Sequence, residues 1–278
     1  MNIYKVLPDL KKKRHMNIWH KALRSQWSAE DLNWGVPQRI TKDALKDQLA
    51  RVLTPILMGE QSALYSVSGL IPMLGQHGDV ESQFYLTTWA VDEARHTELF
   101  ARYYGRIGRE PMSIRRFPAG YLFQTQIASK DAAEWLAGVL VSECLAKLVL
   151  EDFRRLDLDP VLSEICNGIL EDEARHLGFN HIYLEDRFAG LFRKSETEGR
   201  TYEDHLRFRL QKVLDLLNPI FRGLETDVRA VGLDGEALIG RVGEEAKQRL
   251  EKSMACGKKV ASGSDSASNL KDAETIGA

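Results

Sequence analysis

The pentapeptide Asp-Glu-Ala-Arg-His occurs twice, at 92–96 and 172–176, so two identical sets of carboxylate and imidazole donors lie 80 residues apart. In each copy a glutamate precedes a histidine by three positions (Glu93 and His96, Glu173 and His176), which on a helix places both side chains on one face, a turn apart. Oxygen and imidazole donors at this spacing suit iron or manganese better than a metal that prefers soft thiolates. Three-four steps trace each face. One stripe passes through Leu86, Trp89, Glu93, His96, Phe100, Tyr103 and Ile107, the other through Leu162, Cys166, Ile169, Glu173, His176, Asn180 and Tyr183. Both stripes are apolar enough to face a core. A single Glu-x-x-His ordinarily marks a solvated, salt-bridging face, but duplication on two core stripes argues against that here. An unpaired buried carboxylate is costly, so these must be protonated, ion-paired or bound to metal.

Two further helices are needed to complete such a cluster, and hairpin geometry says which residues they contribute. With a turn near Gln76, Glu60 lies 16 positions before it and Glu93 lies 17 after, so the two are level across an antiparallel pair. With a turn near Leu158, Glu173 lies 15 positions after and Glu143 lies 15 before. Glu134 and Glu151 are out of level. The set Glu60, Glu93, His96, Glu143, Glu173 and His176 therefore converges from four helices. One Glu from each of two helices plus Glu-x-x-His from each of the other two is the donor set of a dinuclear iron or manganese centre in a helical bundle. Four carboxylates also balance two divalent cations, leaving a site that a core tolerates.

The elements that must position these residues read as helices throughout, giving an all-α chain. The first core helix is expected at about 41–70 with Pro55 as a kink. The second runs from an N-cap at Asp79 to a stop at Gly105 and Gly108, the third from about Asp131 to Leu156, and the fourth starts at Asp159-Pro160, a cap followed by proline at the first helical position. A short helix at 121–128 and further helices at about 202–217 and 235–254 surround them. The expected organisation is an N-terminal extension over 1–40, a helical bundle domain with the dimetal site over 41–256, and a disordered tail over 257–278, whose Gly, Ser, Ala, Lys and Asp leave almost nothing to bury.

Composition restricts the partners. The chain has 278 residues, 44% hydrophobic and 28% charged, and its formal net charge of −2 supplies no basic field for nucleic acid. Three widely spaced cysteines, Cys144, Cys166 and Cys256, exclude a disulfide framework and a four-cysteine cluster within one chain, which makes the cytoplasm the expected location. No stretch reads as a signal peptide, and the most apolar windows are interrupted by Glu60, Glu143 and Lys147, so no transmembrane segment is expected. There is no Gly-rich dinucleotide motif either. Any electrons must come from a separate reductase or ferredoxin.

Over about 41–188 the chain resembles the ferritin-like di-iron carboxylate proteins. The doubled Asp-Glu-x-Arg-His is similar to that of the hydroxylase subunits of bacterial multicomponent monooxygenases and of the ribonucleotide reductase small-subunit group. The resemblance implies a ferritin-like four-helix bundle with additional C-terminal helices. It implies Glu60, Glu93, Glu143 and Glu173 as carboxylate ligands, with Glu93 and either Glu143 or Glu173 bridging, and His96 and His176 as terminal ligands. Asp92 and Asp172 then accept the histidine N–H groups, with Arg95 and Arg175 pairing to them. The implied cofactor is two iron ions, with a manganese/iron pair as the alternative. The implied reaction is O2-dependent oxidation of a small, largely apolar organic substrate. The alternatives are a ferroxidase or iron-storage protein, and a manganese/iron radical-generating or ligand-binding oxidase; homodimerisation is a family-level expectation. No catalytic residue beyond the metal ligands is indicated. Several positions depart from these relatives. Phe100 stands where a ribonucleotide reductase carries its radical tyrosine, Ser62 and Gly138 stand where the ligand-binding oxidases carry a valine-tyrosine crosslink, and Lys147 stands where the hydroxylases place threonine. An ion pair with Glu151 is expected for Lys147, and core packing for Cys144, Trp89, Phe84, Tyr65 and Phe179.

Overall fold

The structure, a computed structural model, describes residues 10–113, 115 and 117–263; its elements among these are all helical. Four long helices carry the core: α2 (Asp43–Gln76), α3 (Val80–Ile107), α5 (Ala132–Leu156) and α6 (Pro160–Lys194). Local chemistry sets their starts. Asp79 accepts from the Ser82 N–H, Asp131 from Ala133 and Glu134, and Asp159 from Val161, each occupying a donor that the first turn leaves free. Pro160 follows its cap at the first helical position. Gly108, in the left-handed region at φ 66°, ends α3, whereas Gly105 lies inside the helix. The first core helix is longer than expected. It runs through both Pro55 and Pro72, and its buried residues Leu49, Leu53, Leu57, Leu70 and Leu74 hold it to the core.

α2 pairs with α3 and α5 with α6, and the two hairpins meet through α2 against α5 and α3 against α6. That is the ferritin-like bundle, and it places one helix from each repeat face to face. Around it lie α1 (Lys13–Arg24), a single 3₁₀ turn (Ala29–Asp31), α4 (Pro118–Ile127), α7 (Glu196–Leu214), α8 (Leu217–Gly223), α9 (Glu225–Ala230) and α10 (Gly235–Ala261). The 1–40 stretch contributes α1, which lies against α3 and α6 and buries His15 and Ala22. The tail expected over 257–278 is corrected at its start: α10 continues to Ala261, because Gly257 is buried against α6 and extends the packed face. Residues 264–278 lie outside the described residues. α10 packs along α5 and α6, and α9 lies on α2.

Candidate metal centre

Glu93 and His96 project from the buried face of α3, Glu173 and His176 from that of α6, Glu60 from α2 and Glu143 from α5. All six side chains are buried, and the two imidazole centroids are 6.0 Å apart. Two groups of donors result. Glu60, Glu93, His96 and Glu173 form one and Glu93, Glu143, Glu173 and His176 the other, each with its ligand atoms within 4.8 Å of one another. Glu93 and Glu173 belong to both groups, whereas Glu143 belongs to one.

Electrostatics show what the cluster lacks. Glu60 Oε1, Glu93 Oε2 and Glu173 Oε2 are buried without a hydrogen-bond partner, an arrangement that is expensive unless a cation satisfies them. Burial, with Glu60 close by, pushes the Glu93 carboxyl up to about 8 despite its histidine neighbours. Burial and the adjacent Glu143 hold Glu173 well above the usual carboxylate range. For Glu143 burial acts in the same direction, but hydrogen bonds from Glu173 and His176 outweigh it and lower its pKa. Burial opposes the charged form of both imidazoles, yet Asp172, Glu60 and Glu93 raise His96, and Asp92, Glu143 and Glu173 raise His176. Protons thus occupy places where divalent cations fit, and cation binding would displace them.

Behind the histidines the two repeats exchange partners. His96 Nε2 lies 3.0 Å from Asp172, and His176 Nε2 lies 3.3 Å from Asp92. Donation from Nε2–H to these carboxylates turns each Nδ1 towards the glutamates, with His96 Nδ1 3.2 Å from Glu60 and His176 Nδ1 3.2 Å from Glu143, contacts that carry the second imidazole proton in the absence of a cation. Arg95 donates to Asp92 at 2.5 Å and to Asp172 at 2.7 Å, while Arg175 donates to Asp92 at 3.1 Å and also to Asp172. The Asp–Arg pairs are therefore an interior lattice rather than a surface feature. Burial would raise both aspartates, but the histidines and arginines prevail and hold them below their usual range.

Several participants carry no signal in the sequence. Trp27 Nε1 donates to Asp172 at 3.0 Å, Gln26 Nε2 donates to Asp92 at 3.2 Å, and Arg95 lies over the Trp27 ring. A Cβ at Gly168 would meet the Trp27 ring at 2.4 Å, so only glycine lets that indole approach. Trp89 donates to Glu93 at 2.7 Å and stacks on His176 with centroids 4.4 Å apart, so its packing role also orients two of the candidate donors. Phe179 and Cys144 are core residues, and Phe84 packs on Trp19. Tyr65 does not belong with them: it is 78% exposed because its position on α2 faces solvent. Lys147 pairs with Glu151 at 3.2 Å as expected, and also with Glu245 at 3.2 Å on α10.

On the opposite side an apolar cavity reaches Glu60, Glu143 and Glu173. Pro55, Met58 and Gly59 of α2, Phe123 of α4, Leu145 of α5 and Phe221 of α8 form parts of its wall, and Gln124 and Ser142 add neutral polar groups.

Comparison with known proteins agrees with this geometry. No curated protein matches the chain. Among solved structures, an R2-like ligand-binding oxidase with a Mn/Fe cofactor superposes with a TM-score of 0.66 at 20% identity, covering 88% of this chain and 93% of its own. A variant of such an oxidase with an Fe/Fe cofactor gives 0.69 at 19% identity, covering 91% and 97%. At this identity the likeness concerns the fold. A family model, described as P-aminobenzoate N-oxygenase AurF, matches residues 71–216, a span that includes every donor except Glu60. The chain thus belongs to the AurF p-aminobenzoate N-oxygenase family and is an oxidoreductase that uses O2.

Proposed function

We propose that Glu60, Glu93, Glu143, Glu173, His96 and His176 hold two iron ions, or one manganese and one iron. The chain then oxidises a small, largely apolar organic molecule seated in the adjacent cavity, with electrons from a separate reductase or ferredoxin. The observation that carries this reading is the sharing of Glu93 and Glu173 between two donor groups. Two cations side by side need carboxylates in common, and these are the two that would bridge them.

When bound, the metals supply redox equivalents for O2 activation. The protein's own contribution is to orient and to exclude water. Asp92 and Asp172 hold the imidazole Nε2–H groups, so each Nδ1 is turned towards the glutamates and would be free to coordinate once its proton has left. Trp89 fixes the orientation of the Glu93 carboxylate by donating to Oε1, while Oε2 has no hydrogen-bond partner in the protein. Among the described residues, the only charged groups lining the cavity are Glu60, Glu143 and Glu173. A neutral substrate, such as an aromatic amine without a carboxylate, fits that lining better than an anionic one.

The test is reconstitution of metal-free protein with Fe(II) under argon, followed by O2 and a reductant. The expected result is two metals per chain, a raised melting temperature and preferential oxidation of a neutral aromatic amine over p-aminobenzoate. Protein that takes up no metal and melts unchanged would overturn the reading. Iron accumulating far beyond two per chain in a very large particle would replace it with storage.

A further inference from the structure

Past His176, α6 turns a second pair of donors away from the bundle centre. His181 and Glu185, four residues apart, lie on one helical face towards α10, with His181 Nε2 3.3 Å from Glu185 Oε2. A Cβ at Gly257 would come within 2.8 Å of the Glu185 carbonyl oxygen and 2.6 Å of Phe188, so glycine is what lets α10 press against α6 here. The preceding residue, Cys256, is thereby brought to the pair, and one imidazole nitrogen, a carboxylate oxygen and Sγ all lie within 4.8 Å of one another.

The tautomer of His181 can be derived. Ser253 donates its single hydroxyl hydrogen to the Arg249 carbonyl at 3.0 Å, so at its 2.8 Å contact with His181 Nδ1 it must accept. Nδ1 therefore carries a proton, and in the neutral ring the Nε2 lone pair points at a carboxylate. Two acceptors facing each other need a proton or a metal cation between them. Their 3.3 Å separation is also that of two ligands on a tetrahedral zinc, since bonds of about 2.0–2.1 Å subtend an edge of about 3.3 Å. Arg14 binds the same carboxylate, on Oε1 and at 3.1 Å on Oε2. It can keep Oε1 and orient Glu185 while Oε2 turns to a metal, as carboxylate ligands are commonly held.

We propose that His181 Nε2, Glu185 Oε2 and Cys256 Sγ form a mononuclear site for a zinc-class divalent cation, completed by water and separate from the dinuclear cluster. One nitrogen, one oxygen and one sulfur make a borderline donor set, which suits zinc or cobalt(II) and disfavours magnesium or calcium. The site ties α6 to α10 at the edge of the bundle, where Cys256 is partly exposed and Cys144 and Cys166 are buried.

The experiment adds cobalt(II) alone to the full chain, thiols reduced and its other metals already loaded, and reads sulfur-to-cobalt charge-transfer absorption. The expected result is one further cobalt per chain with that band, erased by zinc and absent in Cys256→Ser, and with cobalt binding about tenfold or more weaker in His181→Ala. No band in the unaltered chain, a band surviving in Cys256→Ser, or unchanged binding in His181→Ala would overturn the proposal and leave a simple His181–Glu185 hydrogen-bonded pair. Alkylation of Cys256 in the unaltered chain needs no variant: zinc should slow it about tenfold or more, and an unchanged rate counts against the site. The dinuclear cluster contains no thiolate, so its success or failure does not alter these readouts.

Discussion

The two Asp-Glu-Ala-Arg-His repeats are identical in sequence and unequal in surroundings. In the first, Glu93 accepts from Trp89 four residues before it; in the second that position is Ile169, and Glu173 is bonded to Glu143 instead. Asp92 is held by Gln26 and Asp172 by Trp27. The cavity reaches Glu173 but not Glu93. Duplication thus supplies a nearly symmetric pair of candidate donor groups, and the unrepeated neighbours decide on which side the cavity lies.

The largest effect is expected where the repeats act together. Glu93→Gln or Glu173→Gln removes a carboxylate common to both donor groups and should leave fewer than two metals per chain with activity abolished, whereas Glu60→Gln or Glu143→Gln should spare one metal. Metal analysis of the four variants checks this, and equal losses in all four would break the distinction between shared and unshared donors.

Next come the aspartates. Asp172→Asn leaves Arg95, Arg175 and Trp27 short of an acceptor inside the core, so a loss of about 3–5 kcal/mol is expected. Metal affinity should fall about 10–100-fold. Asp92→Asn should do the same with the Gln26 contact in place of Trp27. Chemical unfolding with metal titration compares the two.

The pH dependence separates metal-free from loaded protein. The folded state raises Glu93 from an ordinary carboxyl value to about 8, so it binds more protons than the unfolded chain across that interval. Stability from this group is complete below the unfolded value, about 4.3, and declines as pH rises to about 8. Glu173, raised by burial and Glu143, acts in the same direction. Metal-free protein should therefore melt at progressively lower temperature from about pH 5 to 8, and loaded protein should not, because coordinated carboxylates carry no proton. Parallel melting curves for the two forms would refute this account.

The smallest structural effect is expected at Gly59, where an added Cβ meets nothing within 4 Å and the residue lines the cavity beside Glu60. Gly59→Leu should leave metal content unchanged and exclude the larger substrates. A comparison of KM across amines of increasing size reads this directly.

Much of the site was legible because its signals are local. Asp79, Asp131 and Asp159 cap their own helices, Glu-x-x-His encodes a common face, and level positions about two turns identify Glu60 and Glu143. Trp27 and Gln26 were not legible. They lie in the loop between α1 and the 3₁₀ turn, where no helical period marks a buried face, and their partners are 145 and 66 residues away. Tyr65 misled because helical spacing alone does not say which side of a surface helix is covered. Cys256 was read only as one of three scattered thiols, since its neighbours come from α6.

The chain's order of residues determined the helices, their caps and the six donors, because each depends on spacing within one helix or on equal distances from a turn. Tertiary structure alone decided that His96 bonds to Asp172 and His176 to Asp92, that an N-terminal tryptophan supports the lattice, and that the cavity opens on one repeat's glutamate. Those outcomes depend on how α3 meets α6 and on which helices cover the bundle, and interhelical contacts leave no period in a sequence.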